Sequence, residues 1–112
     1  MDKIELSDNM TELVEICDKS YPEAGKIKSV DVEGLQLMIT IIDNQIVLAS
    51  RICTHKTYDL TKGHYADGYV TCLLHTSVYD LSDGEAQNPP ATEPLETYQT
   101  ETKNGKIFMV ID

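Results

Sequence analysis

Branched apolar residues recur at every second position through Leu35, Leu37, Ile39 and Ile41, interleaved with Gln36, Met38, Thr40 and Ile42. A period of two predicts a strand, because successive side chains of an extended chain point to opposite faces. Upstream, Ile27, Val30 and Val32 place a partner strand over Lys26–Val32, joined through a turn at Glu33-Gly34. Downstream, Asp43-Asn44 breaks the run and Ile46–Ala49 resumes it. Near the end, Tyr98–Thr102 and Ile107–Ile111 flank Asn104-Gly105, a dipeptide suited to the type I′ turn of a hairpin. No stretch of a dozen residues keeps a helical period, although Thr11–Cys17 is compatible with either state. Short strands separated by turn signals predict an all-β fold, a small antiparallel sandwich or barrel.

The segment Arg51–Pro94 departs from this pattern. It holds Gly63, Gly68, Gly84, Pro89, Pro90, Pro94 and all three histidines. A loop-rich excursion of roughly 40 residues inside a compact domain calls for a ligand or a function to order it. The expectation is a single domain over residues 1–112 with a ligand-binding subdomain at about 51–94. A composition of 41% hydrophobic and 25% charged residues fits a globular chain and argues against disorder.

The formal net charge of −10 is uneven along the chain. Residues 1–25 carry −5 and residues 80–101 carry −6, with no base in the latter, whereas residues 26–79 balance. Nucleic acid is an unsuitable partner for such a surface. The acidity serves either as a solvated skin or as a docking charge. The opening residues Met1–Ser7 lack a basic stretch followed by an apolar run, and no apolar stretch approaches the ~18 residues of a membrane span. With three cysteines, too few and too odd for a disulfide framework, the expected location is the reducing cytoplasm.

Two matched pairs lie in the excursion, Cys53-Thr54-His55 and, sixteen residues on, Cys72-Leu73-Leu74-His75. Thiolates and imidazoles bind zinc or iron, and two loops offering one of each can clamp a small centre. Coincidence is one reading and a structural Cys₂His₂ zinc site another, although zinc sites usually pair like ligands at C-x₂₋₄-C and H-x₃₋₅-H. The third is an iron–sulfur centre in which two histidines replace two cysteines on one iron.

The boxes, with Leu60 and Gly63 after the first, Tyr79-Asp80 and Gly84 after the second, and the proline-rich run Pro89–Leu95, closely resemble the Rieske ferredoxin family over roughly residues 12–111. The resemblance implies one Rieske [2Fe–2S] cluster, with Cys53 and Cys72 on one iron and His55 and His75 on the other. It also implies a one-electron carrier, not itself an enzyme, that passes electrons from a flavin-dependent reductase to a terminal oxygenase or other acceptor. Such a carrier is expected to be a monomer in isolation. A small electron-transfer subunit like that of assimilatory nitrite reductase is the alternative, and a zinc-bound binding module a more distant one.

Two ferric ions, two sulfides and two thiolates leave the oxidised centre nearly neutral, which raises its potential to about −150 to +300 mV, against about −400 mV for plant-type ferredoxins. Ser77 and Tyr79 stand where high-potential respiratory Rieske proteins carry hydroxyls that bond the cluster sulfurs, so a cluster-bonding role is expected of both. Tyr58 and Leu74 occupy the positions of those proteins' disulfide, which this chain lacks. Bound ferric iron should acidify the remote ring N–H of each histidine, so the potential should fall as the pH becomes alkaline. Leu73 replaces a common proline and Thr76 a common glycine, so Thr76 must take an unusual backbone shape with a branched side chain. Cys17 is expected to be a buried thiol and His64 a solvated side chain. Arg51, Lys56 and Lys62, near the boxes, make a thin case for steering a partner.

Overall fold

A computed structural model of the chain describes residues 4–6, 12–55, 57–74 and 76–111. Among the described residues eleven strands run in the order β1 (Ile4–Leu6), β2 (Glu12–Asp18), β3 (Lys28–Val32), β4 (Leu35–Ile42), β5 (Gln45–Ser50), β6 (His64–Ala66), β7 (Tyr69–Cys72), β8 (Ser77–Asp80), β9 (Thr97–Tyr98), β10 (Thr100–Lys103) and β11 (Lys106–Ile111). Among the described residues one 3₁₀ turn, Leu60–Lys62, precedes β6. The strands form three sheets, ordered β1-β2-β11-β10, β3-β4-β5-β9 and β6-β7-β8, with every strand pair antiparallel. The expected all-β fold is the one observed.

The β3-β4-β5-β9 sheet is covered on both faces, and this explains its composition. Leu37, Ile39 and Leu48 join Val14, Ile107 and Met109 in the core shared with the first sheet. The intervening Met38 and Ala49 join Leu60, Val70, Tyr79 and Leu81 in a second core beneath the third sheet. The alternation in β4 therefore sorts residues between two interiors, and Met38 is as buried as its neighbours. A sheet packed on both sides reads as a continuous apolar run.

The turns follow the sequence closely. Asn104 and Gly105 have φ of 52° and 77°, and Asp43 and Asn44 of 51° and 64°, as type I′ turns require. Of the stretch Thr11–Cys17, compatible with either state, residues 12–17 are strand within β2, paired with β1 and β11, and Thr11 lies outside the described residues. The expected strand Tyr98–Thr102 is divided. Thr97–Tyr98 pairs with β5 and Thr100–Lys103 with β11, so the chain passes from one sheet to another at Gln99.

Candidate metal centre

The two boxes sit at loops whose stems are fixed by the backbone. The first closes through Cys53 N to Tyr58 O at 2.9 Å and an Ile52–Asp59 bridge. The second caps the β7–β8 hairpin, where Cys72 faces Ser77 in register. Thr76 N donates to Cys72 O at 2.8 Å, and Thr76 takes φ = 57°. The left-handed region costs a branched residue roughly 1–3 kcal/mol. The backbone shape expected at Thr76 is therefore present, strain included.

A third segment holds both boxes. Asn88 Oδ1 accepts from Val78 N at 2.7 Å, and Asn88 Nδ2 donates to Thr76 O at 3.0 Å. Ala91 N donates to Ser77 Oγ at 3.2 Å, and Thr54 Oγ1 donates to Glu93 O at 2.9 Å. The proline loop is thus a strap with bonds to each box, anchored at its far end by Leu95 N to Gly84 O. Gly84 (φ = 81°) and Gly63 are required here, because a Cβ on either would overlap a carbonyl oxygen, that of Leu95 and of Thr71 respectively.

Cys53 and Cys72 are buried in one cluster with Leu60, Tyr79, Leu81 and Ala91. The fully buried Tyr79 places its Oη 3.3 Å from Cys53 Sγ, 3.1 Å from Thr54 N and 2.8 Å from Thr54 Oγ1. Burial, reinforced by Cys53, pushes the Tyr79 phenol above its ordinary value, so it stays a proton donor. Ser77, also buried, receives the Ala91 amide and so retains its own proton for donation. His55 is exposed, and His75 lies outside the described residues. The arrangement offers two buried thiols, two buried hydroxyl donors and an imidazole at the surface.

A family model for the Rieske [2Fe-2S] domain matches residues 12–99. The chain belongs to the Rieske [2Fe–2S] domain family. It is 33% identical over 70 residues to the 3-phenylpropionate/cinnamic acid dioxygenase ferredoxin subunit of Photorhabdus laumondii, covering 62% of this chain and 67% of that one. Its fold superposes on the Sphingomonas yanoikuyae B1 ferredoxin with a TM-score of 0.80 at 22% identity, over 88% of this chain and 97% of that one. It also matches a chain in the complex of reduced oxygenase and oxidized ferredoxin in carbazole 1,9a-dioxygenase, with a TM-score of 0.77 and 23% identity, over 88% and 92% of the two chains. A Rieske domain implies a [2Fe–2S] cluster, and this Rieske chain is an electron carrier rather than a catalyst.

The donor set fits such a group, since thiols in a water-poor pocket with hydroxyl protons beside them suit iron-bound thiolate and sulfide. The residues missed from sequence are those that hold the loops. Thr54 and Asn88 are polar residues inside the motif and beside the prolines, a weak signal of their roles. Arg51 is a correction. It is buried, and its guanidinium bonds Asp31 at 2.7 Å, Asp59 at 3.0 Å and the Leu37 carbonyl at 3.1 Å. Its charge is satisfied within the fold, which removes it from any steering role, while Lys62 is exposed and Lys56 lies outside the described residues. Cys17 is half-buried on β2, and His64 is exposed on β6. Among the described residues no helix is long and apolar enough to cross a membrane.

Proposed function

We propose that this Rieske domain, a single unit over residues 1–112 with its cluster-binding part at about 51–94, holds one [2Fe–2S] cluster through Cys53, His55, Cys72 and His75. Cys53 and Cys72 bind one iron as thiolates, and His55 and His75 bind the other through ring nitrogens. The observation that carries this reading is the burial of both cysteines in one apolar cluster with Tyr79, whose hydroxyl lies 3.3 Å from Cys53 Sγ.

The bound cluster supplies a one-electron couple. The protein's part is to keep water from the thiolates, to offer the hydroxyls of Ser77 and Tyr79 to the sulfurs, and to present His55 at the surface. The donor is a flavin-dependent reductase and the acceptor a terminal oxygenase or similar redox protein, in keeping with relatives that are dioxygenase ferredoxin subunits. The carrier works in the cytoplasm as a monomer between encounters. The test is an absorption spectrum and a reduced-state EPR spectrum, with iron, sulfide and zinc analysis. A red-brown protein with two irons and two sulfides and an iron–sulfur signal in its reduced-state EPR spectrum is expected. A colourless protein carrying zinc overturns the reading.

A further inference from the structure

Around Tyr79 there are more hydrogen-bond contacts than hydroxyl protons to make them. Tyr79 Oη lies 3.3 Å from Cys53 Sγ and 2.8 Å from Thr54 Oγ1. Thr54 Oγ1 lies 2.9 Å from the Glu93 carbonyl oxygen, which can only accept. The Thr54 amide donates to Tyr79 Oη at 3.1 Å throughout and does not enter the count. Three contacts remain for two protons, one on each hydroxyl. Two oxygens at 2.8 Å require a proton between them, because otherwise lone pairs face each other.

Only two arrangements satisfy this condition. In one, Tyr79 donates to Cys53 Sγ, Thr54 donates to Tyr79, and the Glu93 carbonyl loses Thr54 as its donor. In the other, Thr54 donates to Glu93, Tyr79 donates to Thr54, and Cys53 Sγ receives no proton from Tyr79.

We infer that Thr54 competes with Cys53 for the Tyr79 proton and thereby sets the reduction potential. The inference rests on Cys53 binding the cluster as proposed above. A thiolate on a reduced centre carries more negative charge and is the stronger acceptor, so the first arrangement belongs to the reduced protein. On an oxidised centre the sulfur is the weaker acceptor, and the chain from Tyr79 through Thr54 to Glu93 prevails. Gaining one electron turns both hydroxyls over without taking up or releasing a proton. The oxidised state therefore has a bonding pattern that a site with Tyr79 alone would lack. Thr54 is a positioning residue that holds the potential below the value Tyr79 would otherwise impose.

The test is the midpoint potential of the cluster-loaded protein and of Thr54→Val, Thr54→Ser, Tyr79→Phe and the Thr54→Val/Tyr79→Phe pair, each first checked by absorption and EPR. Thr54→Val should shift the potential upward and Thr54→Ser should leave it near that of the unaltered protein. Tyr79→Phe should shift it downward, and adding Thr54→Val should then change nothing further. A Thr54→Val potential that is unchanged or lower overturns the inference. So does an upward shift of equal size in the Tyr79→Phe background, because Thr54 would then act without Tyr79. Should Thr54→Val fail to hold the cluster, Thr54→Ala carries the same expectation. If the unaltered protein gives no Rieske signal, the cluster reading itself fails. A Rieske signal with an inert Thr54 overturns this inference alone.

Discussion

Ser77 and Cys17 show how position decides what a small polar side chain does. Ser77 accepts the Ala91 amide and is left with a buried hydroxyl proton, which the proposed cluster would receive. Ser77→Ala should therefore lower the midpoint potential, a shift visible in a redox titration monitored by absorption. Cys17, by contrast, sits half-buried in the opposite sheet, away from both boxes. Desolvation, with Asp18 adding to it, raises its thiol from the ordinary 9.0 to about 11. A thiol this weakly acidic should resist alkylation at neutral pH until the chain unfolds. The raised value also has a sign for stability. Between about 9.0 and about 11 the unfolded chain loses this proton while the folded one keeps it, so stability should fall as pH rises through that window. Denaturant titrations of the protein and of Cys17→Ser should diverge there and run parallel below it.

At the scale of elements, the cluster loops are shaped less by their own residues than by segments crossing over them. The second box places Thr76 in the left-handed region, and Asn88 ties down the Thr76 carbonyl and the Val78 amide that follows it. Asn88→Ala removes two hydrogen bonds and leaves the Val78 amide unpaired, at about 1–3 kcal/mol. It should lower the thermal midpoint and speed cluster loss to a chelator, followed as bleaching of the visible spectrum. The stem of the first box depends similarly on Arg51, which links β3, the Leu37 carbonyl and Asp59. Desolvation pushes the Asp59 carboxyl up, but bonds from Thr61 and Arg51 outweigh it and hold the group below its ordinary value. This pairing is thus at full strength near neutrality and is lost as pH falls through the depressed Asp59 value.

For the whole molecule, the distribution of charge matters more than its sum. The net charge is −10, yet residues 53–57 and 72–76 contain no acid. Among the described residues Leu73 and Leu74 are the most exposed large hydrophobics, at 56% and 52%. An acidic molecule whose two boxes are themselves acid-free, the second exposing two leucines, separates approach from contact. Long-range charge should set the encounter rate with a basic partner, and the leucines should set how long the complex lasts. Raising salt should slow association with the redox partner and leave dissociation little changed in stopped-flow measurements. Leu73→Ser with Leu74→Ser should instead speed dissociation by about tenfold, equivalent to roughly 1.4 kcal/mol of lost apolar contact.

The sequence by itself determined β3, β4, β5 and β11, the turns beside them, and the two Cys–His boxes as candidate metal ligands. Each rests on local rules: a two-residue period, the left-handed tolerance of Asn-Gly and Asp-Asn, and the affinity of thiols and imidazoles for zinc or iron. It also marked Gly63 and Gly84, although the reason for them is contact with Thr71 and Leu95 across the fold. Tertiary structure alone decided which interior each face of β4 meets, because both faces are apolar and periodicity cannot say what lies above them. It decided that residues 97–103 serve two sheets, since pairing partners far along the chain select the break. It also turned Arg51 from a surface charge into an internal tie, and brought Thr54, Tyr79 and Glu93 within hydrogen-bond reach. Those contacts join residues 25 and 39 positions apart, a separation at which no local pattern records which side chains meet.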